Sequence, residues 1–367
     1  MLVFLLHYFG PLLERLEVFS AGDSRVFLTA RTALASLSAF LFAIVLGPFA
    51  IRWLKRHARE RIASDSDRLN EIQKHKQSTP TMGGVFIMAA LLVAVLMWGN
   101  LGNAYVLQAI SVAVGYGLIG GVDDWVKLST TRNGLTAKQK FCWQWVVALG
   151  VTTALYFVSR HVPHGTDLVL PWRNHVIPLG LLFIPWAMFV LVGSSNAVNL
   201  TDGLDGLACG CMVFAGTAFA ALTYLAGHRV MAEYLHIPYV PGSGELSVIT
   251  GAMVGAVLGF LWFNCHPAEV FMGDTGSLPL GALIGYAGLV TRQECLLVVV
   301  GGIFVVETLS VMAQVFWFRR TGQRILACSP LHNHYLFKGH HEMKIVVRFW
   351  ISAALLAIAA LASLKLR

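Results

Sequence analysis

Charge is scarce in this chain. Of its 367 residues only 13% are Asp, Glu, Lys or Arg, against 56% hydrophobic, and the mean hydropathy is +0.67. That balance excludes an ordinary soluble globular protein. The six cysteines, Cys142, Cys209, Cys211, Cys265, Cys295 and Cys328, form no C-x-x-C pair. A disulfide framework is therefore not indicated, and buried or cytoplasm-facing thiols are expected. Collagen-like, coiled-coil and low-complexity segments are absent, as are convincing internal repeats. The opening stretch Met1–Ser20 lacks a basic n-region and a small-residue cleavage site. It reads as a short interfacial helix rather than a secretory signal. No segment of ordinary soluble-domain length separates the apolar runs, so residues 1–367 are expected to form a single integral membrane domain.

What the chain does have is apolar runs. Ten candidate spans fall at about 26–47, 80–98, 104–122, 141–158, 178–195, 207–225, 247–262, 278–290, 296–316 and 345–366. The expected fold is an all-α polytopic membrane protein. Sorting the loops by parity separates the basic residues. One set (48–79, 123–140, 196–206, 263–277, 317–344) carries most of the Lys and Arg, from Arg52 to Lys344. The other set has only Arg160, Arg173, Arg229 and Arg292 apart from the termini. By the positive-inside rule the first set is cytoplasmic, and ten spans then leave both termini periplasmic. The net charge of +8 is thus accounted for by topology, without a nucleic-acid partner.

Every polar motif falls in the cytoplasmic set, so five loops distant in sequence converge on one membrane face. The longest is Phe263–Ser277, F-N-C-H-P-A-E-V-F-M-G-D-T-G-S, which holds Glu269 and Asp274. Its Gly-Asp-Thr-Gly-Ser turn suits close backbone approach to a ligand and a metal-assisted site for a phosphate ester. It equally suits a helix start capped by Thr275 or Ser277. In Lys76–Gly84, Thr79 and Pro80 read as the N-cap and first turn of the second span, and Lys76 could hold a phosphate as a point charge. Gly83-Gly84 implies close helix packing or approach to a ligand.

Asp123-Asp124 is expected at the C-terminal end of the third span, where two carboxylates oppose the helix dipole. A cation would relieve that cost, and one acid could accept a proton from an attacking phosphate. In Asn199–Gly206 (N-L-T-D-G-L-D-G), Asp202 and Asp205 have the i, i+3 spacing that shares a face on a helix, and a polar turn between spans is the plainer alternative. Pro330–His334 places His332 and His334 in a loop with His340 and His341 beyond. The spacing is not a zinc signature, and neutral imidazoles could bond phosphate or position metal ligands. Lys127, Arg132, Lys138 and Lys140 serve topology or anchor anionic membrane lipids.

Taken together, T-P-T-M-G-G (79–84), D-D (123–124), N-L-T-D-G-L-D-G, the F-N-x-x-P-A-x-V-F-M-G-D-T-G-S stretch, the histidine loop and R-F-W (348–350) closely resemble the phospho-N-acetylmuramoyl-pentapeptide transferases. These belong to the polyprenyl-phosphate N-acetylhexosamine-1-phosphate transferase superfamily. The resemblance implies a multi-pass protein of a bacterial inner membrane acting in peptidoglycan synthesis. It would pass phospho-MurNAc-pentapeptide from UDP-MurNAc-pentapeptide to undecaprenyl phosphate, releasing UMP and forming lipid I, with Mg²⁺ as cofactor. Position by position, it makes Asp274 the metal ligand and places Asp123 and Asp124 at the lipid-phosphate side. Asn199, Asp202 and Asp205 fall in the nucleotide site and polar network, Phe271 near the uracil, and Lys76 on the family lysine.

The resulting catalytic candidates are Asp123, Asp124, Asp274 and His334. Substrate-binding candidates are Lys76, Thr79, Asn199, Asp202, Asp205, Phe271, His332, Lys127 and Lys140. A homodimer is compatible with the sequence. The chain departs from the family pattern at Asn333, where a histidine is usual, and at Leu336, where a glutamate is. Gln73 and Ser78 replace a histidine and a glycine, with His75 displaced beside Lys76. Two alternatives remain at this stage: a related transferase using UDP-GlcNAc, and an ion-coupled transporter, whose acids would sit nearer the bilayer midplane.

Overall fold

Long apolar runs satisfy their backbone polar groups internally as helices, and helices dominate the structure. The computed structural model describes residues 28–58, 76, 79–130, 134–170 and 176–366. The helix expected over Met1–Ser20 lies outside the described residues, as do Gln73, His75, Ser78 and Arg132. In chain order the helices are α1 Leu28–His57, α2 Gly84–Trp98, α3 Ala104–Ser129, α4 Ala137–Ser159, α5 Phe183–Thr201 and α6 Leu207–Gly227. They continue with α7 Arg229–Tyr234, α8 Leu246–Asn264, α9 Asp274–Val290, α10 Glu294–Val300, α11 Gly302–Thr321, α12 Leu331–Phe337 and α13 Glu342–Ser363. One antiparallel pair, β1 Asp167–Val169 with β2 Val176–Pro178, joins α4 to α5. A helix stands at each of the ten expected spans. Eight are long and apolar enough to cross a membrane, α2 is shorter at 15 residues, and α9 has 17.

Three expectations change. The first span runs ten residues beyond 47, so Arg52, Lys55 and Arg56 ride on α1 rather than in a loop. The ninth is broken at Gly301 into α10 and α11. Pro80 does not open a helix: α2 starts only at Gly84, and Pro80 is extended, its carbonyl accepting the Phe271 N–H at 2.8 Å. Thr79 is accordingly no N-cap. Its hydroxyl reaches the Ala268 carbonyl at 3.4 Å.

The helix at the centre is α9, every residue of which is buried, packed on α3 and α5. A helix apolar all round belongs in such a position. The closest pairing elsewhere is α1 with α8. A glycine stripe at 251, 255 and 259 lies against Thr32, Ser36, and Phe40 with Ala43, so near that a Cβ on Gly255 would lie 1.9 Å from the Ser36 carbonyl oxygen. Small residues at four-residue spacing let membrane helices meet backbone to backbone.

The ends of this pair are fixed by charge. Arg31 of α1 grips Glu245 with both terminal nitrogens, at 2.6 and 3.1 Å, and both side chains are largely buried. Glu245→Ala leaves a guanidinium buried without its partner and is expected to destabilise the protein by about 3–5 kcal/mol. Thermal unfolding in detergent checks this, and an unchanged midpoint would rule it out. A second clamp joins α4 to α5, where the Asn196 amide donates to Gln144 Oε1 at 2.7 Å. Gln144 lies one turn after Lys140, and Asn196 one turn before Asn199, so this pair sets the spacing of two residues of the site.

Candidate active site

The N-terminus of α9 leaves backbone N–H groups without helical partners, and the sequence supplies an acceptor from another helix. Asp124 Oδ1 accepts the Asp274 N–H at 3.2 Å, and Oδ2 accepts the Thr275 N–H at 2.9 Å and hydroxyl at 2.7 Å. Neither Thr275 nor Ser277 is the cap, since Gly273 stands at that position and the Ser277 hydroxyl donates back to its carbonyl at 3.0 Å. Asp123-Asp124 therefore does not end the third span. Helix α3 continues to Ser129, which puts Lys127 on the face of both acids. The approach of α9 to α3 and α2 requires glycines. A Cβ on Gly120 would lie 2.1 Å from the Asp274 carbonyl oxygen, and one on Gly84 2.1 Å from the Gly276 nitrogen.

Asp123, Asp124 and Asp274 thus form one buried cluster, each with an oxygen within 4.8 Å of the others. Asp123 Oδ1 accepts the Leu135 N–H at 2.9 Å, beside Gly134, and Oδ2 meets Lys127 at 2.9 Å. Lys127 also reaches Asp274 at 3.3 Å and Asp124 at 3.4 Å. Lys140, from α4, bonds Asp274 Oδ2, and Asn199 donates to Asp274 Oδ1 at 2.7 Å. Lys127 and Lys140, which the sequence offers as substrate-binding candidates or as topological or lipid-anchoring charges, face the carboxylates. Three carboxylates opposed by two ammonium groups leave an excess of negative charge when all are ionised. Hard oxygen donors so close together fit a divalent cation such as magnesium or manganese, not a thiophilic one.

A second group ties the remaining loops together. Lys76, 6% exposed, bonds Asp205 Oδ1 at 2.6 Å and Glu342 Oε1 at 2.5 Å. His266 bonds Asp205 Oδ2 at 2.9 Å. Asp205, His266 and Glu342 could by themselves hold a metal, but the Lys76 ammonium already supplies the cation. The Asp202–Asp205 spacing is not helical, because α5 ends at Thr201. Asp205 is buried in the network, whereas Asp202 is half-buried at the helix end.

Phe271 is half-buried, its main chain paired with Pro80 and Gly83, and Glu269 is exposed. The histidine segment is a short helix, α12, not a loop. There His332 is buried against Glu307 at 3.1 Å. His334 accepts the Ala327 N–H at Nδ1, 3.1 Å away, and burial with the Lys338 charge lowers its pKa. Among the described residues, His334 makes no hydrogen bond or ion pair with the three aspartates; its ring contacts are with Ala327 and Tyr335. Sequence reasoning missed Glu307, His266 and Glu342. Only Glu307 carried a signal, as a lone carboxylate within an apolar run.

Residues 105–292 match the family model described as glycosyl transferase family 4. The chain is 46% identical to the phospho-N-acetylmuramoyl-pentapeptide-transferase of Oleidesulfovibrio alaskensis, over 99% of this chain and 100% of that one. It is 48% identical to the protein of the same name from Thermodesulfovibrio yellowstonii, over 93% and 94%. It is also 48% identical to that of Nitratidesulfovibrio vulgaris, over 97% and 98%. The chain belongs to glycosyl transferase family 4 and, within it, to the phospho-N-acetylmuramoyl-pentapeptide-transferases.

Proposed function

We propose that this protein transfers phospho-MurNAc-pentapeptide from UDP-MurNAc-pentapeptide to undecaprenyl phosphate, giving lipid I and UMP, at the cytoplasmic face of a bacterial inner membrane. The observation that carries the reading is the buried Asp123–Asp124–Asp274 cluster with two lysines directed into it. Phosphoryl transfer needs charge neutralisation and in-line positioning more than covalent help from the protein.

The carboxylates are assigned different work. Asp274, with Asp123 beside it, would hold Mg²⁺, which would supply charge neutralisation for the pyrophosphate and the UMP leaving group. Asp124 spends both oxygens on the start of α9 and so positions Asp274 rather than moving a proton. Asp123 Oδ2 accepts no backbone N–H and faces the Lys127 and Lys140 ammonium groups beside Asp274, which makes it the better acceptor for a proton from the lipid phosphate. Lys127 and Lys140 orient phosphate oxygens, Asn199 holds the Asp274 carboxyl group, and the Lys76–Asp205 pair with Phe271 lines the nucleotide side. Lys76 and Asp205 are bound to segments 129 positions apart, so this side of the site is built from several loops at once.

The test is reconstitution with UDP-MurNAc-pentapeptide, undecaprenyl phosphate and Mg²⁺, assayed for UMP and lipid I. UMP release is expected with that donor and to be lost on chelation. Preferential turnover of UDP-GlcNAc would replace the donor assignment. Substrate flux through proteoliposomes without UMP would replace the reaction by transport.

A further inference from the structure

Glu307 lies in the second turn of α11, fully buried, in none of the polar motifs. Its carboxylate takes two bonds from one residue. The His332 backbone N–H donates to Oε1 at 3.1 Å, and His332 Nδ1 lies 3.1 Å from Oε2. An ionised carboxylate only accepts, so the ring proton at this contact sits on Nδ1. Fixing main chain and ring together leaves His332 one rotamer and one tautomer. The ring nitrogen left over is Nε2. It abuts Gly203, where an added Cβ would lie 2.3 Å from it. Gly203 is exposed and sits between Asp202 and Asp205, so the Nε2 edge borders the turn on the nucleotide side. His334, two residues on, is held the opposite way, with Nδ1 accepting. The two histidines are therefore not equivalent.

We propose that Glu307 is a positioning residue which holds His332 with Nε2 presented across Gly203 to a hydrogen-bonding oxygen of the nucleotide-sugar donor. This rests on the transferase reading above. Histidine held by a buried carboxylate is an arrangement in which the acid acts only through the ring. The absence of any other bond from Glu307 to a substrate-side group, among the described residues, fits that division.

Two double-mutant cycles in the UMP-release assay test it. Glu307→Ala is expected to fall to the level of His332→Ala, with the double variant no more than about twofold below His332→Ala. Glu307→Gln, which keeps an acceptor for Nδ1–H, is expected to retain more activity than Glu307→Ala. The loss should appear in KM for the UDP donor, with KM for the lipid phosphate unchanged. In the second cycle, Gly203→Ala is expected to lower kcat/KM by about tenfold or more alone, and by less than about twofold in the His332→Ala background. This cycle leaves the buried carboxylate untouched, so it decides the matter if Glu307→Ala does not fold. Losses that multiply in either cycle, or a raised KM for the lipid alone, would overturn the assignment while the unmodified protein stays active. Absence of UMP release by the unmodified protein would overturn the transferase reading and this assignment with it.

Discussion

Asp274→Ala is expected to lower transfer by at least about a thousandfold while leaving the protein folded, since it removes the carboxylate proposed to anchor charge neutralisation. The second half of that expectation follows from the geometry. The start of α9 is held by its backbone N–H groups on Asp124, and those bonds do not involve the Asp274 side chain. Lys127 retains Asp123 at 2.9 Å, so the cluster keeps a charge partner after the substitution. UMP release and thermal unfolding should be measured on the same preparation. Near-normal release from purified protein would remove Asp274 from the centre of the reaction.

Gly120→Ala should also lower transfer sharply, without altering any charge. The new methyl group would lie 2.1 Å from the Asp274 carbonyl oxygen and 2.4 Å from its carbon, and backbone atoms cannot yield as a flexible side chain does. The start of α9 has to move by a substantial fraction of an ångström, and Asp274 with it. A shift of that order costs about a hundredfold in rate, and overpacking of this kind about 1–3 kcal/mol in stability. The adjacent residue is the control. A Cβ on Gly121 would meet only the Thr275 hydroxyl oxygen, at 3.9 Å, so Gly121→Ala is expected to behave like the parent protein. Equal activity in the two variants would mean that the α3–α9 contact does not set the position of the site.

How much of this was legible beforehand depended on whether the determinant was local. The ten spans follow from apolar run length, a property of contiguous sequence. The grouping of polar motifs at one end followed from charge parity and agrees with the way the structure joins those loops. Pro80 was misplaced because a proline preceded by threonine is a good helix start, yet here main-chain pairing with Phe271 competes and wins. The apolar run stops at Val122, which puts Asp123-Asp124 at an expected helix end, where only solvent or a cation relieves two carboxylates. In the structure the cation is Lys127, one turn further along the same helix, and Asp124 finds N–H donors 150 positions away. Thr275 and Ser277 were plausible caps by sequence distance, but the acceptor came from across the bundle. His266 and Glu342 gave no warning, since their roles exist only once Lys76 and Asp205 are beside them.

The Lys76 network also bears on biosynthesis. Its ammonium group joins Asp205, 129 positions downstream, and Glu342, 266 positions downstream at the first residue of the final helix. A chain emerging N-terminus first can insert α1 to α11 and assemble the aspartate cluster with Glu342 still unmade. Until α13 is synthesised, Lys76 and the Asp205 backbone N–H lack the carboxylate that both contact. The Lys76–Asp205–Glu342 network is thus the last part to be finished, and a chain cut short before its final span lacks it even when the Asp123–Asp124–Asp274 cluster is in place.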